Sequence, residues 1–169
     1  VLRLLTGAYT NFDGALLLDD MPIANYNLDS LRSVTGILLN TQDIFQGTLM
    51  ENFTMGNSKI DQKELTDLVK MCGLTEFIQS LPNGYDTVLL TAGSRLPARI
   101  KQTILLIRAL LGKRRLLLLE EPFSNLEAGD RAKIMELIRK ETTSTVMIAS
   151  TNLELAKSCH YIIHLEKGV

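Results

Sequence analysis

Two adjacent carboxylates, Glu120 and Glu121, follow four consecutive leucines, Leu116 to Leu119, and Pro122 closes the run. One carboxylate so placed can help hold a divalent cation, and a second can take a proton from water as a general base. The leucines read as a buried strand that ends at the acids. A continuous apolar run suits a parallel strand covered on both faces, and in open α/β sheets ligands bind just beyond the carboxyl ends of such strands. Other reactive side chains carry less. His160 and His164 read as structural, the second alternating into a strand. Cys72 and Cys159 lie far apart without metal-ligand spacing, which suits buried reduced thiols of a cytosolic compartment better than a disulfide frame.

The elements that must position these acids belong to a chain of 169 residues, 46% hydrophobic, with 18 basic and 19 acidic side chains. That composition describes a soluble globular chain of roughly one domain and excludes a nucleic-acid-binding patch as its main feature. No apolar run approaches the roughly 18 residues of a membrane span, and no charged n-region with an apolar h-region opens the sequence. Any membrane contact is expected through something else.

Val1 to Thr6 reads as the end of an apolar helix closed by Gly7, a residue suited to the left-handed helix terminus. Asp13-Gly14 turns into a short strand, Ala15 to Leu18, and Asp19-Asp20 turns again toward Ile23, which predicts a hairpin. Asp29 to Val34 is a helical turn before a strand at Gly36 to Leu39, and Asn40 to Gln46 is a polar loop. From Thr48 to Ser80 apolar residues recur at helical spacing, as at Leu65, Leu68, Val69 and Cys72. Breakers then predict loop from Ser80 to Arg99, followed by an apolar helix at Ile104 to Leu111. Glu127 to Glu141 is an amphipathic helix with Ile134, Leu137 and Ile138 inward. Thr145 to Ala149 and Tyr161 to Leu165 are the last strands. Strands and helices alternate, so the sheet is expected to be mostly parallel.

In this order the pieces resemble the nucleotide-binding domain of ABC transporters, most closely that of the exporters, over essentially the whole chain. Leu4-Leu5-Thr6-Gly7 resembles the helix after the P-loop, and Phe45 to Asn52, with Gly47-Thr48 inside it, the exporter segment after the Q-loop. Leu81-Pro82-Asn83-Gly84-Tyr85-Asp86-Thr87 is similar to the run before the exporter X-loop. Arg108-Ala109-Leu110 resembles the end of the signature helix, Leu116 to Pro122 the Walker B strand, and Ser124-Asn125-Leu126-Glu127 the D-loop. Leu165-Glu166-Lys167-Gly168 resembles the strand after the switch histidine.

The departures from that pattern fall on the positions that do chemistry. By resemblance Asn40 stands for the Q-loop glutamine, which reaches toward metal and attacking water, and is shorter by a methylene; Gln42 is an ordinary loop residue. The family's Leu-Ser-Gly-Gly-Gln signature corresponds to Leu96-Pro97-Ala98-Arg99-Ile100. In the family that loop offers backbone N–H groups at a helix N-terminus to the γ-phosphate of nucleotide on the opposite subunit. Pro97 removes an N–H, and Ala98 and Arg99 add side chains where backbone would meet phosphate. Arg99 is left either as a charge that attracts phosphate or as a plain surface arginine at a helix start. Glu120 takes the place of the Mg²⁺-ordering aspartate, Glu121 that of the catalytic glutamate, Thr151 that of the switch histidine, and Thr91 that of the X-loop acid.

The resemblance implies an α/β fold: a P-loop NTPase (RecA-like) core with a mostly parallel sheet, residues 1–46 and 107–169, interrupted by a helical signature subdomain at 47–106. It implies ATP and Mg²⁺ as cofactors, held through a P-loop upstream of Val1, with Glu120 and Asn40 toward the metal. Asn40, Leu96, Pro97, Ala98, Arg99 and Thr151 would lie toward nucleotide, and Glu121 is the catalytic candidate. The implied partners are a transmembrane domain and a second nucleotide-binding domain, at the cytoplasmic face of a membrane, with no nucleic acid. Two functions follow: a degenerate ATP-binding domain that couples nucleotide binding and dimerisation to transport with weak or no hydrolysis, or an active ATPase with Glu121 as general base.

Overall fold

The computed structural model describes residues 1–9, 12–141 and 143–166. In chain order the elements are α1 (Leu2–Leu5), β1 (Leu17–Leu18), β2 (Met21–Pro22), α2 (Leu28–Val34), β3 (Thr35–Leu38), β4 (Gly47–Thr48), α3 (Leu49–Thr54), α4 (Gln62–Met71), α5 (Thr75–Ser80), β5 (Val88–Leu89), α6 (Ala98–Leu110), β6 (Leu116–Glu120), α7 (Ala128–Glu141), β7 (Thr145–Ala149) and α8 (Leu153–Lys157). Among the described residues the main sheet runs β3-β6-β7, all parallel, with Leu38 opposite Leu119 and Leu119 opposite Ile148.

The leucine run of β6 is the middle strand, and its alternation explains why every residue is apolar. Leu117 and Leu119 face the larger core, with Ile104, Phe123, Ile134 and Leu137. Leu116 and Leu118 face the other side, against Leu2, Leu5 and Leu39. A half-buried strand would alternate with polar residues; one covered on both faces cannot. Each of these leucines contributes about 1.5–3 kcal/mol by leaving water. Gly36 on β3 is where α6 comes closest, since a Cβ there would overlap the Ala109 carbonyl oxygen.

The hairpin forms as expected, β1 pairing antiparallel with β2 around Asp19 and Asp20, both at positive φ. Gly7 takes the left-handed conformation at φ +68 after α1. Between β3 and β6 the chain is mainly helical. Thr48 caps α3 in a reciprocal box, accepting from the Glu51 N–H at 3.1 Å while its own N–H donates to Glu51 Oε2 at 2.7 Å. Asp61 caps α4 by accepting from Lys63 N–H. Cys72, at the end of α4, is buried, and that burial with the nearby Asp130 charge pushes its thiol up to about 12. Cys159 is partly buried, and both thiols are free.

Three expectations are corrected. Val88–Leu89, inside the predicted 80–99 loop, pairs antiparallel with Gly47–Thr48, a ladder too short to impose a period on the sequence. The apolar helix begins at Ala98 rather than Ile104, because Pro97 sits in extended conformation at its N-cap and leaves the next residues free to coil. Tyr161 to Leu165 is no strand: Tyr161 is 90% and Ile163 78% exposed, and His164 is exposed with them. β-branched composition favours a strand only where a ladder partner lies alongside. Lys167 and Gly168, the end of the segment likened to the strand after the switch histidine, lie outside the described residues.

Candidate nucleotide site at the carboxyl ends of β3 and β6

Because β3 and β6 are parallel and in register, the polar residues after β3 arrive beside the acids that end β6. The Asn40 N–H donates to Glu120 Oε2 at 3.0 Å. Gln42 turns back on its own loop, its side-chain oxygen accepting from Leu39 N–H at 3.1 Å. A cleft of about 300 Å³ opens here, lined among others by Asn40, Gln42, Ala98, Lys101, Glu120 and Asn125. Lys101 Nζ reaches Asp43 Oδ1 at 2.7 Å and also donates to the Ala92 carbonyl. Burial by itself raises the Asp43 carboxyl, but the Lys101 hydrogen bond, the Ile44 N–H and the charges of Lys101 and Arg108 bring it below its ordinary value.

Glu121 is held differently. Its backbone lies at φ +44, in the left-handed region where a non-glycine residue costs roughly 1–2 kcal/mol and persists only when its surroundings over-determine it. Its N–H donates to the Ala149 carbonyl at 2.9 Å. Its carboxylate accepts three bonds from the turn after β7: Ser150 Oγ at 2.7 Å, Thr151 N–H at 2.7 Å and Thr151 Oγ1 at 3.2 Å. Burial alone would raise this carboxyl, yet the three donors outweigh it and hold the group below the ordinary glutamate value.

The expected site residues divide into separate groups. Asn40 and Glu120 are bonded to each other, with Ala98 on the same cleft. Glu121 and Thr151 are bonded to each other. Leu96 is half-buried and closes a turn onto the Gly93 carbonyl, and Pro97 is exposed at the start of α6. The Arg99 guanidinium is paired: its Nη2 lies 2.8 Å from Asp130 Oδ2, and it passes close to Gly73. Ser150 and Gln102 were missed. Ser150 had a legible signal, since two hydroxyls follow a strand whose parallel neighbour ends in two carboxylates. Gln102, whose Nε2 donates to the Glu121 and Pro122 carbonyls at 3.3 and 3.0 Å, had none.

For a Mg²⁺-nucleotide the fit is partial. Mg²⁺ needs only one or two protein carboxylates besides phosphates and water, and Glu120 with Asn40 beside it meets that. Among the described residues no three His, Cys, Asp or Glu side chains converge as a cage of their own. At the signature segment Pro97 has no N–H and the Arg99 guanidinium is engaged with Asp130, while the first turn of α6 has no side-chain cap on its N–H groups.

Comparison with known proteins agrees with this geometry. No family model matches the chain. It is 34% identical over 169 residues to the uncharacterized ABC transporter ATP-binding protein YfiC of Bacillus subtilis, covering 99% of this chain and 28% of that protein. It is 32% identical over 168 residues to YfiB of the same organism, covering 99% and 29%, and 30% identical over 172 residues to antigen peptide transporter 1 of Rattus norvegicus, covering 99% and 24%. The chain thus spans less than a third of the length of these relatives. A solved bacterial Atm1-family ABC exporter with ATP bound matches it with a TM-score of 0.80 at 27% identity, over 90% of this chain and 27% of that one. Similarity end to end in sequence, together with the shared fold, places the chain in the family of ABC exporter nucleotide-binding domains.

Proposed function

We propose that the chain is a degenerate ATP-binding domain of an exporter-type transporter, one that couples nucleotide binding and domain pairing to transport while hydrolysing ATP weakly or not at all. The observation that carries this reading is the state of Glu121. A general base works best with a pKa near the working pH and a lone pair aimed at water. This carboxylate instead accepts three bonds from Ser150 and Thr151 and has its pKa lowered. The replaced signature residues and the paired Arg99 support the same reading from the other side of a composite site.

In this proposal Glu120 and Asn40 face Mg²⁺, and ATP is held mainly by a P-loop carried upstream of Val1 in a longer polypeptide. Residues 1–46 and 107–169 form a RecA-like core and 47–106 the helical signature subdomain, with α6 running through the second boundary. The partners are a transmembrane domain and a second nucleotide-binding domain, and the place is the cytoplasmic face of a membrane. Among the described residues no helix is long and apolar enough to cross a membrane. The exposed apolar run at 161–165 is a surface that a larger assembly would cover.

One observation favours the alternative of an active ATPase: Glu121 keeps a fixed, over-determined place at the end of the central strand. ATP binding and turnover with Mg²⁺, measured on the polypeptide extended upstream of Val1, separates the two. Binding with negligible turnover, unaffected by Glu121→Gln, is the expected result. Vigorous turnover abolished by Glu121→Gln would establish the alternative.

A further inference from the structure

We propose that Gln102 is a positioning residue: from the second turn of α6 it fixes the backbone turn that carries Glu121, and so couples the placement of that helix to the aim of the acid. The proposal rests on the reading of Glu121 as the residue at the base position. The Gln102 amide has two hydrogens on one nitrogen, and its Nε2 reaches two successive carbonyls, Glu121 at 3.3 Å and Pro122 at 3.0 Å. Pro122 is buried and has no N–H, and the turn closes on itself through the Ser124 N–H, which reaches the Glu121 carbonyl at 3.3 Å.

Within its own turn the Glu121 carbonyl accepts from the Ser124 N–H at 3.3 Å, and three further ties reach Glu121 from other elements. Ala149 on β7 takes its N–H, Gln102 on α6 supports its carbonyl, and Ser150 with Thr151 takes its carboxylate. The first and third ties come from the same strand and its end, so they cannot by themselves report where α6 stands. Gln102 can, because it lies one turn beyond Ala98 and lines the same cleft as Ala98 and Lys101. A left-handed glutamate is a conformation that relaxes once its supports are removed. Loss of the Gln102 donor leaves the Glu121 carbonyl to the Ser124 N–H alone and takes the donor from the Pro122 carbonyl, so the turn loosens and the side chain swings off the hydroxyls of Ser150 and Thr151.

The test is peptide-resolved hydrogen exchange on the full polypeptide, read at the 150–152 amides, which Gln102 does not touch. Thr151 N–H donates to Glu121 Oε1, so its protection reports the aim of the acid. In Gln102→Ala exchange there should rise about tenfold while the interior of α7 stays unchanged. Should that variant fail to fold, Gln102→Glu carries the test, since it keeps length and helix propensity but replaces the donor with an acceptor. Gln102→Lys, which retains a donor of similar reach, should restore protection. Unchanged exchange at 150–152 in both Gln102→Ala and Gln102→Glu overturns the proposal. Ser150→Ala in the same experiment reports separately on the clasp of Glu121, so the two readings fail independently.

Discussion

Arg99 Nη2 and Asp130 Oδ2 stand 2.8 Å apart and tie the first turn of α6 to the first turn of α7. The resemblance puts a glycine at residue 99, so this tie is a property of the present chain. Both side chains keep some exposure, 35% and 21%, which limits what the pair contributes to stability. Arg99→Ala and Asp130→Ala should each lower stability by under about 1 kcal/mol, with a coupling in the double-mutant cycle of about 0.5 kcal/mol. Denaturation should show that coupling vanish in about 1 M salt, where screening acts within about 3 Å. A cycle without coupling at low salt would mean that the two residues are neighbours only.

Arg108 braces the loop that carries Asp43, one of the residues lining the cleft. It is 8% exposed, and its guanidinium donates to the Asn52 carbonyl at 2.7 Å, to Asn52 Oδ1 at 3.0 Å and to the Asp43 carbonyl at 3.2 Å, while lying 5.6 Å from the centre of the Phe45 ring. Asn52 in turn donates to the Phe45 and Thr48 carbonyls. Arg108→Ala takes this donor from the buried Asn52 carbonyl and leaves Asn52 Oδ1 with the Phe45 N–H alone, and should cost about 3 kcal/mol in chemical denaturation. Arg108→Lys should recover only part, because an ammonium cannot bond two divergent groups through a planar fork. Full recovery by lysine would reduce the role of Arg108 to its charge.

What the sequence disclosed follows from how local each cause is. The run Leu116 to Leu119 announced a doubly covered strand because each residue is decided by its own burial. The helix Ala128–Glu141 was legible from the spacing of Ile134, Leu137 and Ile138, within the margin at its ends. Glu120 and Glu121 were legible as candidates since they end that strand. Their partners were harder to read. The Arg99 ion pair joins residues 31 positions apart, and Gln102 meets Glu121 across 19, separations at which a single sequence carries no pairing signal. Tyr161 to Leu165 misled for the opposite reason: its residues favour a strand, but a strand is a relation with a neighbour.

Gly36→Ala tests how closely α6 is seated on the sheet. The added methyl would overlap the Ala109 backbone oxygen and meet Leu117 Cδ2, and neither a helix backbone nor a leucine in a filled core yields easily. Destabilisation of about 3 kcal/mol or failure to fold is expected, measured by thermal melting against wild type. Gly56→Ala offers a contrast: nothing lies within 4 Å, but its φ of +74 makes the cost one of backbone strain, about 1 kcal/mol.

The clasp on Glu121 makes stability depend on pH in a direction that can be fixed in advance. Its folded carboxyl titrates below the ordinary value of 4.5, so between the two values the unfolded chain binds the proton and the folded chain does not. The clasp's contribution is therefore complete above about pH 5 and is lost as pH falls through the folded value. Glu121→Gln, which keeps the strained backbone but removes the charge, should be less stable than wild type at neutral pH by under about 1 kcal/mol, given the group's partial exposure. The gap should close on acidification. Ser150→Ala should reproduce part of it, because the 2.7 Å bond from that hydroxyl is one of three that hold the carboxylate down. Denaturation midpoints from about pH 7 to about pH 3 decide the matter. A wild-type advantage that persists unchanged into acid would mean that the carboxylate is not held by Ser150 and Thr151 in solution, and the argument for a disabled base would lose its footing.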